Sequence, residues 1–438
     1  MRINISPVIY IFIGIGLGTI SVINIPPSYA IGIPIITLFF LIFFINPRFA
    51  ILSLIFVMPP LNSTIEITRI SLEGLTTINL VGGLNLFILI GGVFYIITNK
   101  IKVFKLPIGK SSLIFLIICL ISVFISYDIM TGIKRWFTIT SPFIIYVLIT
   151  DLFKNRKYVG RLINITILSM IISCIVGYYQ FLTNINMFDM TGNYRIAGTF
   201  KHPNLFGFYL TLVLPITMTL SFYYPKFSLE KLGFGIFSLM MILALFLTFS
   251  RGSWIGFGIV MLVISTLKYR KILIITSILL IALSSVILLR FQDMSAFMIR
   301  ILLWEKGLNQ FLHHPILGIG LGSFEVEAIQ VVGMISHPHN EYIRFATETG
   351  ILGLSGFLWM LINLIRDTVN TYRKTLEPYF KTVLLAIVAI LISYLIMIMN
   401  ESLYQYVGFM INFYALAAIP YVISNLETEE KNHRLLQN

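Results

Sequence analysis

Apolar residues in this chain run rather than alternate. Between short polar interruptions the sequence is almost wholly Ile, Leu, Phe, Val, Met and Ala, in blocks long enough for helices that cross the ~30 Å hydrocarbon core of a bilayer, with tilt absorbing differences in length. The blocks fall at about 6–24, 29–46, 49–60, 78–98, 111–126, 135–150, 160–181, 205–224, 232–268, 272–290, 347–366, 380–399 and 404–424. Ile25-Pro26-Pro27, Asn46-Pro47-Arg48 and Pro59-Pro60 break helices between them. The block at 232–268 is interrupted by Ser250-Arg251-Gly252-Ser253, and holding Arg251 mid-membrane costs ~2.5–3.5 kcal/mol, so a hairpin through Gly252 is expected there. The pattern predicts an all-α, polytopic transmembrane helix bundle of 12–14 spans. Residues 1–290 form its N-terminal part, 291–346 a large extracytoplasmic loop, 347–425 the C-terminal transmembrane helices and 426–438 a cytoplasmic tail.

The large loop is the one long stretch with a different period. Phe297, Ile301, Trp304, Leu308 and Phe311 recur at spacings of four and three, the stripe of an amphipathic helix at a membrane surface, with Pro315 beyond its end. Arg300 and Trp304 share a face. Gly318-Ile319-Gly320-Leu321-Gly322 is not preceded by a strand and lacks phosphate-cradle spacing, so it reads as a close-packing turn. After it come His337-Pro338-His339-Asn340 and a helix expected from Thr347.

At 58% hydrophobic and 11% charged residues over 438 positions, the composition excludes a water-soluble domain. A net charge of +13 would point to nucleic acid in a soluble protein. Here the charge collects in alternate loops, from Arg48 through Lys100, Lys102, Lys105 and Lys110, Lys154–Arg161, Lys226 and Lys231, Lys268–Lys271 and Arg366–Lys381 to Lys431 and Arg434, which is the bias of cytoplasmic loops. No nucleic-acid partner follows, and both termini are expected in the cytoplasm. Cys119 and Cys174 lie in apolar blocks without metal or redox spacing.

Candidate chemistry lies in the interruptions. Arg195, Lys201 and His202 make a basic entrance to the helix that Pro203-Asn204 begins, where Asn204 reads either as a turn residue or as part of a binding surface. Arg251 and the Arg300–Trp304 pair read either as interface anchors or as ligands of an anion. Arg135 and Lys134 oppose the charge bias and read as snorkelling side chains or a lipid-head-group contact. His337 and His339 have only Glu341 near them as a carboxylate, a poor metal site. No DxD, Walker or Rossmann signature is present.

Four segments together resemble the O-antigen ligase and O-antigen polymerase family, with its bacterial O-oligosaccharyltransferase relatives. They are Gly198-Thr199-Phe200 with Pro203-Asn204; Ser250-Arg251-Gly252; Arg300 and Trp304 leading to His314-Pro315-Ile316-Leu317-Gly318-Ile319-Gly320; and His339-Asn340-Glu341-Tyr342 followed by Glu348-Thr349-Gly350-Ile351-Leu352-Gly353. The resemblance implies a multi-pass protein of the bacterial cytoplasmic membrane that works as an inverting glycosyltransferase without cofactor or metal. Its donor would be a glycan on polyprenyl pyrophosphate, and its acceptor a glycan or lipid core, with membrane lipid and other polysaccharide-assembly proteins as partners. It further implies that Arg251 and Arg300 neutralise the pyrophosphate, that His339 is the general base and that Asn340 holds the ring; His337 and Arg344 are second-rank candidates that the motif gives no defined role, and Arg195, Asn204 and Trp304 are expected as further substrate contacts. Ligase, polymerase and protein-modifying transferase stay open at this point. A transporter is the other class, but the ionisable residues sit in loops or at span ends and the halves show no repeat.

Overall fold

The structure is a computed structural model that describes residues 37–61, 70–72, 75–78, 80–185, 187–190, 193–272, 294–333 and 336–437. The spans expected at 6–24 and 272–290, and part of that at 29–46, lie outside the described residues.

The described chain is an all-α bundle. Its first helices are α1 (Pro47–Leu61), α2 (Leu80–Thr98), α3 (Gly109–Val123), α4 (Ile129–Leu152) and α5 (Arg156–Thr183). Then come α6 (Pro203–Tyr223), α7 (Leu229–Leu247), α8 (Arg251–Leu267), α9 (Met294–His313) and α10 (Phe324–Val332), followed by α11 (Glu341–Lys374), α12 (Pro378–Met397) and α13 (Val407–Gln437). Two short antiparallel hairpins, β1–β2 (Ile70–Leu72, Leu75–Ile78) and β3–β4 (Phe188–Met190, Asn193–Arg195), lie in connections. Among the described residues six helices, α5, α6, α7, α11, α12 and α13, are long and apolar enough to cross a membrane.

Polar residues start these helices where the apolar blocks begin. Asp128, Asn155, Ser228 and Glu377 each accept a backbone N–H in the first turn of α4, α5, α7 and α12, satisfying donors that have no partner inside the helix. The expected hairpin at 250–253 is present, because α7 stops at Leu247 and α8 starts at Arg251. The centre of the bundle is α6, whose residues are nearly all buried, packed against α7, α12 and α8 with α5 beside it.

The two ends of the bundle differ chemically. At one end Arg48 donates from Nε to the Leu152 carbonyl (2.8 Å) and stacks over Tyr158. Arg156 pairs with Glu430 (2.8 Å), and Lys268 donates to Thr382 (3.1 Å). Lys374 lies beside Pro107 in a cavity at this end. At the other end the Ser122 hydroxyl donates to the Glu348 carbonyl (2.7 Å), Arg135 pairs with Glu325, and the Glu341 N–H donates to the Ile398 carbonyl (2.8 Å).

Four elements depart from the sequence reading. α4 starts at Ile129 rather than near residue 135, because Asp128 caps it, and so takes in Lys134 and Arg135. α11 begins at Glu341 rather than near Thr347, because Asn340 caps it, and it bends at Gly350, which takes φ +65°. The glycine turn lies in that bend: the Ile319 and Gly320 N–H groups donate to the Thr347 and Glu348 carbonyls, and a Cβ on Gly350 would stand 2.2 Å from the Ile316 oxygen. α13 does not stop near residue 424 but continues to Gln437 through the expected polar tail, which is rich in good helix formers and held by Arg156–Glu430. In α9 the stripe turned to the protein is Arg300, Leu303, Trp304 and Gly307, while Met298, Ile301, Leu302, Leu308 and Leu312 are exposed. Trp304 therefore belongs to the inward face, not to the membrane-facing stripe.

Candidate active site

Five separate segments converge at the end of the bundle away from Lys374. The first is the loop before α6. Arg195 is buried and donates from Nε to the Thr248 carbonyl (2.8 Å) and from a terminal nitrogen to Asn204 Oδ1 (2.7 Å), which ties the start of α6 to the turn between α7 and α8. The Gln180 amide clamps Ala197 and Gly198 from behind, and the Thr199 hydroxyl donates to the Pro59 carbonyl. The Gly198-Thr199-Phe200 motif is thus a fixed floor. His202 caps α6 by accepting the Asn204 N–H on Nδ1 (3.1 Å). That bond requires an unprotonated Nδ1. Burial and the neighbouring Arg195 charge agree with it, pushing the His202 pKa down to about 4, so the ring is neutral near pH 7 and carries its proton on Nε2.

Arg251 opens α8. Phe249, two residues earlier, takes φ +47°, a left-handed conformation that non-glycine residues rarely adopt and that turns the chain sharply into the helix. Gly252 lets this turn press against the loop after α12, where a Cβ would stand 3.2 Å from the Asn400 side chain. Arg300 reaches the same place from α9. Burial lowers its pKa, Glu401 raises it and Arg251 lowers it again, so the two guanidinium groups repel within one enclosed region. An anion placed between them relieves that repulsion, and planar guanidinium forks fit phosphate oxygens.

His339 stands opposite, with φ +50°, the second strained non-glycine residue of the site. Its Nδ1 lies 2.9 Å from Glu401 Oε1. Glu401 is 3% exposed. Burial would push its carboxyl up, but the hydrogen bond from His339 and the nearby Arg300 charge hold it below its ordinary value. An ionised carboxylate only accepts, so His339 donates from Nδ1 and its Nε2 carries the lone pair. Among the described residues the cluster sets Arg195, Arg251 and Arg300 beside the carboxylate of Glu401 and one oriented imidazole.

The other expected site residues divide. Trp304 is in the cluster's wall and donates from its indole to the Pro338 carbonyl (2.7 Å). Asn340 is a helix cap, its Oδ1 accepting the Tyr342 and Ile343 N–H groups, and Asn204 is engaged by Arg195. Arg344 is not brought to the cluster. It is 1% exposed and lies between Glu341 and Glu348 of its own helix, at 3.4 and 3.2 Å. His337 turns away towards Glu325 (3.8 Å), and burial together with the Arg135 and Arg344 charges lowers its pKa well below the ordinary value. Glu401 was missed, and His202 was read only as part of the basic entrance to α6. Glu401 stands in a three-residue polar break, Asn400-Glu401-Ser402, between two apolar blocks, and a carboxylate at a span end on the same side as His339 was the signal that was there to read.

The fold is that of an all-α, multi-pass membrane bundle, and one end of it brings arginines together with an oriented imidazole. Residues 236–358 match the family model described as O-Antigen ligase. The matched segment carries Arg251, Arg300 and His339, and the match supports an O-antigen ligase-type membrane glycan transferase. Glu401 and His202 lie outside the matched residues. A search of curated proteins found no match to the chain.

Proposed function

We propose that the chain moves glycan from a polyprenyl-pyrophosphate donor to a hydroxyl of a glycan or lipid-core acceptor at the outer face of the bacterial cytoplasmic membrane. The observation that carries this reading is the His339–Glu401 bond (2.9 Å) set beside Arg251 and Arg300. The acceptor oxygen attacks the anomeric carbon of the donor sugar from the face opposite the phosphate. The new C–O bond forms as the bond to the phosphate oxygen breaks, so configuration inverts. The acceptor proton passes to Nε2 of His339, and the electron pair leaves with the polyprenyl pyrophosphate, whose charge Arg251 and Arg300 meet. Those two charges occupy the role that a divalent ion fills in other phosphate-leaving reactions, so the reaction proceeds without metal.

The bias of Lys and Arg towards the cytoplasm assigns the end with Arg48, Lys154 and Lys374 to that side and the cluster to the outer side. Single cysteines at Leu312 and at Leu376, both exposed, should react with impermeant maleimide from opposite sides of the membrane, against low background because Cys119 and Cys174 are buried. Labelling of both from one side sinks the assignment.

Transfer by the purified protein should persist in a strong chelator. Arg251→Lys and Arg300→Lys should each lower it about 10- to 100-fold at equal protein level, the worth of one charge-assisted hydrogen bond. Normal turnover by either variant makes that arginine a mere anchor. The acceptor class is read from the lipid-linked glycan that accumulates when the protein is removed: single repeat units for a polymerase, full-length polymer for a ligase.

A further inference from the structure

α9 contributes to the site twice on one face. Arg300 and Trp304 are one turn apart, and Gly307 continues the stripe, so close to α11 that a Cβ there would stand 2.7 Å from the Ile343 side chain. The Thr347 hydroxyl donates to the Gly307 carbonyl (2.9 Å), which locks the two helices together. Trp304 then reaches past this contact to the Pro338 carbonyl, the peptide immediately before His339. Pro338 is buried and has no N–H of its own, so its carbonyl is the one backbone polar group it offers. On the far side the Glu341 N–H donates to the Ile398 carbonyl (2.8 Å), and Asn340 caps Tyr342 and Ile343. His339, at φ +50°, is therefore held from in front by Trp304 and from behind by the start of α11. A strained residue persists only where its surroundings over-determine it.

Resting on the reading of His339 as the base, we propose that Trp304 is a positioning residue. Its indole N–H latches the backbone of His339 to the helix that carries Arg300, so that seating the donor phosphates against Arg300 also fixes the imidazole for the acceptor. Donor recognition and base alignment then share one rigid element, and a donor-free site holds its base less firmly.

The test uses the purified full-length protein and Trp304→Phe, which keeps the ring bulk and removes the N–H, with Trp359→Phe on the exposed face of α11 as the control for loss of a tryptophan. Two readouts are taken: glycan transfer, and amide hydrogen exchange at Glu341, Tyr342 and Ile343 with and without a polyprenyl pyrophosphate. In Trp304→Phe kcat should fall about 10- to 100-fold, the scale of a misplaced reacting group, with the donor KM unchanged. The three amides should exchange faster than in wild type, and the pyrophosphate lipid should slow them in wild type and in Trp359→Phe but not in Trp304→Phe. Wild-type kcat, or unchanged exchange at these amides, in Trp304→Phe overturns the latch. Exchange that behaves as expected in a wild-type protein that transfers no glycan overturns the functional reading instead and leaves the latch standing.

Discussion

His339→Ala is expected to abolish glycan transfer, a loss of ~10²–10⁴-fold attributable to the missing base, while binding of the lipid-linked donor stays near wild type. The division follows from the geometry. The proposed donor charge falls to Arg251 and Arg300 on α8 and α9, whereas His339 has its Nδ1 committed to Glu401 and its Nε2 left to accept a proton. A base enters only the chemical step, so its removal lowers kcat and leaves the donor KM in place. Donor binding is measured directly with a polyprenyl-pyrophosphate glycan on protein in detergent. His337→Ala is the internal contrast, since that ring lies against Glu325 and Arg135 rather than in the cluster. An equal loss in His337→Ala would mean that the base has been misassigned, and full activity in His339→Ala would leave the cluster as a binding surface alone.

The fold was legible because a bilayer imposes a length on each apolar block and leaves polar residues only at the ends. α2, α3, α5 to α8 and α12 begin and end within a few residues of the interruptions that predict them, including the reversal at Arg251, whereas α4 starts six residues ahead of its apolar block because Asp128 caps it. The boundaries that moved did so for local reasons. Asn340 caps α11 six residues ahead of the apolar block, and Gly350 bends the helix so that its polar first turns sit over the site while its apolar remainder enters the bundle. Of the candidate residues, Arg251 was read at a helix junction, Arg300 on one face of the surface helix and His339 in the loop before α11, and the structure brings these three together. What sequence spacing hides is commitment. Arg344 has the same chemistry as Arg300, yet it lies three residues from Glu341 and four from Glu348, and once α11 starts at Glu341 those spacings close into buried ion pairs. Arg195 and Asn204, read as substrate contacts, instead hold each other and the Thr248 carbonyl. Glu401 is 62 residues from His339 along the chain and meets it only because the α12–α13 connection folds back over the start of α11.

That distant carboxylate gives the second large effect. Glu401→Gln should lower transfer by roughly the amount lost with His339 itself, on the order of 10²–10⁴-fold, although the substitution leaves shape and volume almost unchanged. Glu401 receives the Nδ1 proton, which holds the ring in the tautomer with a free Nε2, and its charge stabilises the imidazolium that forms as the acceptor proton is taken. A glutamine presents either a carbonyl, which keeps the bond without the charge, or an amide N–H, which forces the proton onto Nε2 and blocks the base. Non-additivity separates the dyad from a packing defect: in His339→Ala the carboxylate has no ring to orient, so Glu401→Gln added to it should cost little more. A double variant that multiplies the two losses would show that Glu401 acts on the substrate independently of His339.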